Sequence, residues 1–150
     1  MLKFGAMSLA ILVALRVCDH YLESDREHIE RKLKLMGAGV TERNLDKVFE
    51  HVSETFHYNR TRKADLRAVA DRALQSQQVT SLQIKSIQEI KAEGDKATAL
   101  FRFNLKGASV DMLFLCKATF VRESGNEWRL ETFEVYPATG MSDPYTVPGL

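Results

Sequence analysis

The sequence contains little cysteine, little proline and no strong excess of either charge. Its two cysteines, Cys18 and Cys116, are too few for a disulfide framework or a cysteine-based metal cluster, and they leave the redox compartment open. All three prolines lie at or after Pro137. A formal net charge of +1 argues against a dedicated nucleic-acid-binding protein, which normally carries a strong basic excess on one face. With 45% hydrophobic residues, the chain of 150 residues has the composition of one globular domain.

One apolar run stands near the start of the chain, where Phe4–Leu15 carries no charge between Lys3 and Arg16. As a helix it would cover about 18 Å at ~1.5 Å per residue, whereas the hydrocarbon core of a membrane is about 30 Å thick. It has the length of the apolar part of a secretory signal, but no small-residue cleavage site follows. We therefore expect an uncleaved anchor or a truncated signal at residues 4–15, which would hold the domain at a membrane, outside the cytoplasm. An apolar helix packed on a cytoplasmic domain is the alternative.

Three amphipathic helices are predicted after this run. Ser24 and Glu27 have the spacing of a capping box, which places a helix start there. Gly37 and Gly39 should weaken the last turns of this first helix, and Asn44 is a good N-cap for a second. The apolar residues recur at helical spacing, as Ile29, Leu33, Met36 and Val40, then Leu45, Val48, Val52 and Phe56, then Leu66, Val69, Ala70, Ala73 and Leu74.

Beyond Gln78 the apolar pattern becomes alternating, which predicts four strands. Turn signals at Glu93–Asp95, Gly107 and Glu123–Glu127 separate the strands, and the last strand covers Trp128–Tyr136. One phase slip in the first strand suggests a bulge. Three helices packed in a curved, mainly antiparallel four-stranded sheet, preceded by an apolar N-terminal helix, form an α+β plan. We predict an apolar segment at residues 1–22, one domain at residues 23–137 and a proline-containing surface tail at residues 138–150.

Two stretches, "NLDKVFEHVSETFHYN" at residues 44–59 and "EWRLETFEVYP" at residues 127–137, together with the order of elements, resemble the nuclear transport factor 2-like superfamily. This group includes SnoaL-like cyclases and ketosteroid isomerases. The resemblance covers residues 23–137 and implies a cone, in which the sheet curls around the helices and leaves a pocket in its wide mouth. It also implies a homodimer through the outer face of the sheet. The apolar residues on that face are Leu100, Leu113, Leu115 and Val121.

His57 and Tyr58 are the first pocket candidates, because the resemblance places the end of the second helix near the cavity. A histidine there could exchange protons, and a tyrosine could donate to an oxyanion. Packing of one ring and exposure of the other is the favoured alternative.

Glu134 and Tyr136 are the second pair of candidates, because they share a strand phase with Trp128. An inward Glu134 would have a raised pKa and could serve as a general base. A single bulge near Glu131 or Thr132 would instead turn Phe133 and Val135 inward and Glu134 outward, and this is the favoured arrangement.

No metal site or cofactor is predicted. His51, Glu54 and His57 fan around a helix rather than forming the i, i+4 histidine pair of a helical zinc site. The sequence also lacks a glycine-rich phosphate loop. We therefore expect a noncatalytic module that binds a small apolar ligand or a partner. A small-molecule isomerase, dehydratase or cyclase, and a dimeric interaction adaptor, are the alternatives.

Overall fold

A computed structural model describes residues 24–147 and 149–150. Three helices precede a four-stranded antiparallel sheet, and a two-stranded ribbon lies between the second and third helices. The α+β class predicted from the sequence is therefore confirmed, whereas the predicted N-terminal helix lies outside the described residues. The elements are α1 (Asp25–Thr41), α2 (Leu45–Phe49), β1 (His57–Tyr58), β2 (Thr61–Arg62), α3 (Lys63–Gln75), β3 (Ser81–Glu93), β4 (Lys96–Lys106), β5 (Asp111–Glu123) and β6 (Glu127–Pro137).

Helix α1 begins at the predicted capping box, in which the Ser24 hydroxyl accepts from the Glu27 amide and the Glu27 carboxylate accepts from the Ser24 amide. Its two glycines do not shorten the helix, which continues to Thr41. They instead allow close packing, because a Cβ at Gly37 would lie 3.2 Å from the Leu82 carbonyl oxygen and one at Gly39 would lie 2.7 Å from the Val48 side chain. Packing against neighbouring elements therefore outweighs the low helix propensity of glycine.

Helix α2 begins after the predicted N-cap, where the Asn44 side chain accepts from the Lys47 amide. It ends after only five residues, although the apolar pattern predicted a longer helix. The chain leaves the helix to pair with β6: the Ser53 amide donates to the Leu130 carbonyl over 2.9 Å, and the Leu130 amide donates to the His51 carbonyl over 2.8 Å. These bonds replace the helical bonds that a longer α2 would make.

The sheet is a meander in the order β3-β4-β5-β6, and it curves around the helices. Its concave face carries much of the core, with Phe101 opposite Cys116 and Cys116 opposite Val135. Strand β3 contains two register shifts, one more than its sequence pattern indicated. Bulges of this kind bend a strand and increase its twist, which helps the sheet to wrap around α1.

A bulge at Glu131 determines which side chains of β6 point towards the core. Thr119 pairs with Thr132 and Phe120 pairs with Leu130, so Glu131 has no partner in the register. The alternation shifts by one residue, because side chains in a strand have a period of two. Phe133 and Val135 thus pack in the core, whereas Glu134 is exposed on the opposite face.

The proline content of the C-terminal segment predicted a tail on the surface, but part of this segment packs against the core. The Tyr145 amide donates to the Val135 carbonyl over 2.7 Å, and the Tyr145 ring meets the edge of Phe114 with 5.7 Å between centroids. Val147 and Leu150 pack against the core. The segment therefore crosses the open end of the curved sheet.

Among residues 24–147 and 149–150, no helix is long and apolar enough to span a membrane. The apolar segment at residues 4–15 lies outside these residues, and its association with a membrane stays a prediction.

Candidate functional site

A cavity of about 580 Å³ lies between the concave face of the sheet and the three helices. Its volume falls within the range of roughly 300–1,000 Å³ that is usual for small-molecule sites. Phe101, Phe103 and Phe114 line it from the sheet, and Val52 and Leu130 stand at the junction of β6 with the segment after α2. The aromatic side chains of the cone therefore leave room for a ligand.

The lining of the cavity is almost entirely apolar. Of the described residues that line it, none is an aspartate, glutamate, histidine, lysine or arginine, and the polar side chains come from Cys116, Tyr145 and Thr146. Burial raises the pKa of the Cys116 thiol to about 12, with a smaller contribution from the nearby Glu134 carboxylate. The thiol therefore stays protonated at neutral pH and contributes a weakly polar surface rather than a nucleophile.

The opening of the cavity is marked by three lining residues that are also exposed to solvent: Met112 at the start of β5, and Tyr145 and Thr146 in the C-terminal segment. Two hydrogen bonds hold this segment at the opening. The Tyr58 hydroxyl donates to the Tyr145 carbonyl over 3.3 Å, and the Tyr145 amide donates to the Val135 carbonyl. The segment after β6 thus forms part of the wall.

His57 and Tyr58, the first predicted pair, lie beside the cavity but not in its lining. His57 is exposed, with its Nδ1 atom 3.4 Å from the Thr55 carbonyl oxygen. Tyr58 is buried, and its ring stacks on Phe133 with 5.0 Å between centroids. One ring packs and the other faces water, and Tyr58 supports the Tyr145 segment through its hydroxyl.

Glu134 and Tyr136, the second predicted pair, lie on the convex face, which is the outer face of the sheet, because of the Glu131 bulge. The placement of both residues in the pocket is thus corrected. The Tyr136 hydroxyl donates to the Glu134 carboxylate, and this bond, followed by burial, raises the pKa of Tyr136 to about 12. Neither residue lines the cavity. A carboxylate outside the cavity cannot act as a base on a ligand within it.

The four apolar residues assigned to the convex face differ in how much of them is available to a partner. Leu113 is 39% exposed, whereas Leu115 is only 4% exposed within a single chain. Leu100 and Val121 are half-buried. Leu115 is therefore already covered, and Leu113 is the better probe of contacts between copies.

A buried polar cluster at the other end of the sheet was missed by the sequence analysis. The Lys32 ammonium, 5% exposed, lies 2.6 Å from the Glu127 carboxylate and 3.4 Å from His51 Nδ1. The hydrogen bond from Lys32 lowers the pKa of Glu127, and burial, together with the Lys32 charge, lowers the pKa of His51. His28 Nε2 lies 3.6 Å from the same carboxylate. Nothing in the local sequence around Lys32 distinguishes it from a solvated helical lysine.

This cluster is not a metal site, since no group of histidine, cysteine, aspartate and glutamate residues in the described part of the chain could hold a metal ion. The Lys32 ammonium already supplies a positive charge beside the Glu127 carboxylate. The burial of Lys32 and His51 and the opposite charges of Lys32 and Glu127 indicate a structural role for the cluster, separate from the apolar cavity.

No protein-family model matches the sequence, and no curated protein matches it either. Solved structures do resemble the fold. An NTF-2-like protein of unknown function from Shewanella oneidensis superimposes with a TM-score of 0.64 at 16% identity, covering 75% of this chain and 98% of that one. A Shewanella frigidimarina protein provisionally assigned as a ketosteroid isomerase gives a TM-score of 0.53 at 13% identity, covering 70% and 91%.

The protein Bd1075 of Bdellovibrio bacteriovorus gives a TM-score of 0.66 at 9% identity, covering 79% of this chain but only 41% of that longer chain. Identities this low establish a shared fold and nothing further. The resemblance to the nuclear transport factor 2-like superfamily is confirmed at the level of fold. Function must be argued from the cavity itself.

Proposed function

We propose that this protein is a noncatalytic module that binds a small apolar ligand in the cavity between its sheet and its helices. The observation that supports the proposal is the lining of the cavity, which combines a volume of about 580 Å³ with an absence of ionisable carboxylate, imidazole and ammonium groups among the described lining residues. Transfer of an apolar molecule from water into such a site is favourable by roughly 25 cal/mol per Å² of buried surface.

The same lining argues against acid–base catalysis. An isomerase or dehydratase needs a group that exchanges a proton within about 3 Å of the substrate, directly or through one water. Here Glu134 and His57 lie outside the lining, and the buried Cys116 thiol is held neutral. The cavity therefore offers burial and shape, which are what a binding protein needs.

Binding can be measured with the uncharged probe N-phenyl-1-naphthylamine, whose fluorescence rises in an apolar site. The variant Ala70→Phe places a ring into the cavity from α3, because Ala70 lines it. We expect saturable binding by the natural sequence, and an affinity at least about ten-fold lower for the variant.

Ala68→Phe is the matched control, since Ala68 lies on the same helix, is exposed, and does not line the cavity. It should bind the probe as the natural sequence does. Circular dichroism confirms that both variants are folded. Absence of saturable binding by the natural sequence, or equal binding by the two variants, would contradict the proposal.

We further propose that the protein forms a homodimer through the convex face of the sheet. The Leu113 side chain on that face, 39% exposed, supports this, because a large apolar residue on an open sheet face gains from a cover. The variant Leu113→Glu should halve the molar mass measured by light scattering after size-exclusion chromatography. Ala68→Glu adds the same charge at an exposed position of α3, on the concave side of the sheet, and should leave the mass unchanged. A monomeric mass for the natural sequence would contradict the proposed dimer.

A further inference from the structure

We infer that the cavity selects an uncharged amphiphile with one polar end, and that Thr146 recognises that end at the opening. This inference rests on the proposed ligand-binding function and adds the chemical class and the orientation of the ligand. A linear or cyclic alcohol is the simplest member of the class.

The distribution of polar groups along the cavity supports the orientation. Cys116 lies deep on β5 and is 5% exposed, and its protonated thiol is only a weak hydrogen-bonding group. Tyr145 and Thr146 lie at the opening, where they both line the cavity and are exposed. A ligand with an apolar body and one polar end therefore buries its body among the phenylalanines and keeps its polar end at the C-terminal segment.

The Thr146 hydroxyl is available to such a ligand. It has no hydrogen-bond partner among the described residues. Its backbone is held on both sides: Tyr145 is fixed by its bonds to Tyr58 and Val135, and Val147 packs against the core. A hydroxyl held in place both donates and accepts, so that it suits a ligand hydroxyl or carbonyl without reorganisation of the chain.

A charged end does not fit this site as well. The described lining residues include no arginine or lysine to pair with a carboxylate and no acid to pair with an amine. A charged group drawn towards the apolar lining would lose hydration without gaining a partner. An alcohol of the same chain length therefore binds more tightly than the corresponding carboxylate.

The test uses displacement of N-phenyl-1-naphthylamine by 1-octanol, octane and octanoate at pH 8. For the natural sequence we expect octanol to bind about five-fold more tightly than octane, as one added hydrogen bond provides, and more tightly than octanoate. The variant Thr146→Val keeps the side-chain shape and removes the hydroxyl. It should lose the advantage of octanol over octane. The affinity of the probe for the variant is measured first, so that each displacement gives the affinity of the competing ligand itself.

Thr146→Ser restores a hydroxyl at the same position and should restore the preference for octanol. An octanol advantage that persists in Thr146→Val, or that is absent from the natural sequence, overturns the inference while leaving the proposed binding function intact. Failure of the natural sequence to bind the probe at all overturns both.

Discussion

Replacing Trp128 with alanine should lower the free energy of unfolding by about 3–5 kcal/mol, the usual cost of removing a large aromatic side chain from a core. Trp128 is fully buried at the end of the sheet away from the cavity. Its indole N–H donates to the Asp25 carboxylate over 3.0 Å, and the Arg122 guanidinium lies 4.6 Å from the ring centroid. The substitution removes the packing, the hydrogen bond and the cation–π contact together.

Urea denaturation followed by far-ultraviolet circular dichroism measures this loss without relying on tryptophan fluorescence. Trp128→Phe is the matched variant, because it keeps most of the buried ring and removes the N–H donor. It should lose only about 1–2 kcal/mol. A loss below about 1 kcal/mol for the alanine variant would show that this ring does not anchor α1 to the sheet.

The second large effect concerns the pair of Lys32 and Glu127, whose two members should respond very differently to removal. The Lys32 side chain is 5% exposed and the Glu127 side chain 44%. Glu127→Ala leaves a buried ammonium without its carboxylate, and we expect a loss of about 2–3 kcal/mol, below the roughly 3–5 kcal/mol of a fully buried pair. Lys32→Met leaves a carboxylate that water reaches, and the cost should be less than about 1.5 kcal/mol.

The double variant Lys32→Met/Glu127→Ala tests the origin of this asymmetry. Its stability should return close to that of Lys32→Met, because no buried charge remains. All four proteins are compared by urea denaturation at pH 7.5. Equal losses in the two single variants would show that Lys32 reaches solvent when its partner is absent, contrary to its burial here.

The order of elements could be predicted from the sequence because it depends on local signals. The capping box at Ser24 and the N-cap at Asn44 both form as predicted, and the alternating patterns mark four strands. The lengths of the helices were less predictable. Helix α2 ends early because its following residues bond to β6, and α1 tolerates Gly37 and Gly39 because neighbouring elements approach them closely. Such long-range contacts cannot be recognised from the local sequence.

The candidate site was harder to predict for the same reason. The sequence favoured a bulge near Glu131 or Thr132, but its alternating pattern alone did not fix the position of that bulge, on which the orientation of Glu134 depends. It also treated the last residues as surface, although Tyr145 and Thr146 line the cavity. The apolar character of the pocket could be predicted from the strand pattern, since Phe101 and Phe103 recur with a period of two. The position of the segment that contains Tyr145 and Thr146 could not be predicted, because it depends on contacts with residues that are distant in the sequence.

The Glu131 bulge has a consequence for how new activities arise on this fold. Removal of Glu131 would leave a regular strand in which Phe133 still pairs with Ala118 and Val135 with Cys116, so that both keep their place on the concave side. If Glu131 were instead retained and took the ladder position opposite Thr119, Glu134 and Tyr136 would turn to the concave side. A carboxylate and a phenol would then face the cavity. A shift of strand register by one residue, without any substitution, thus separates an apolar cavity from one that is lined by an acid and a hydroxyl.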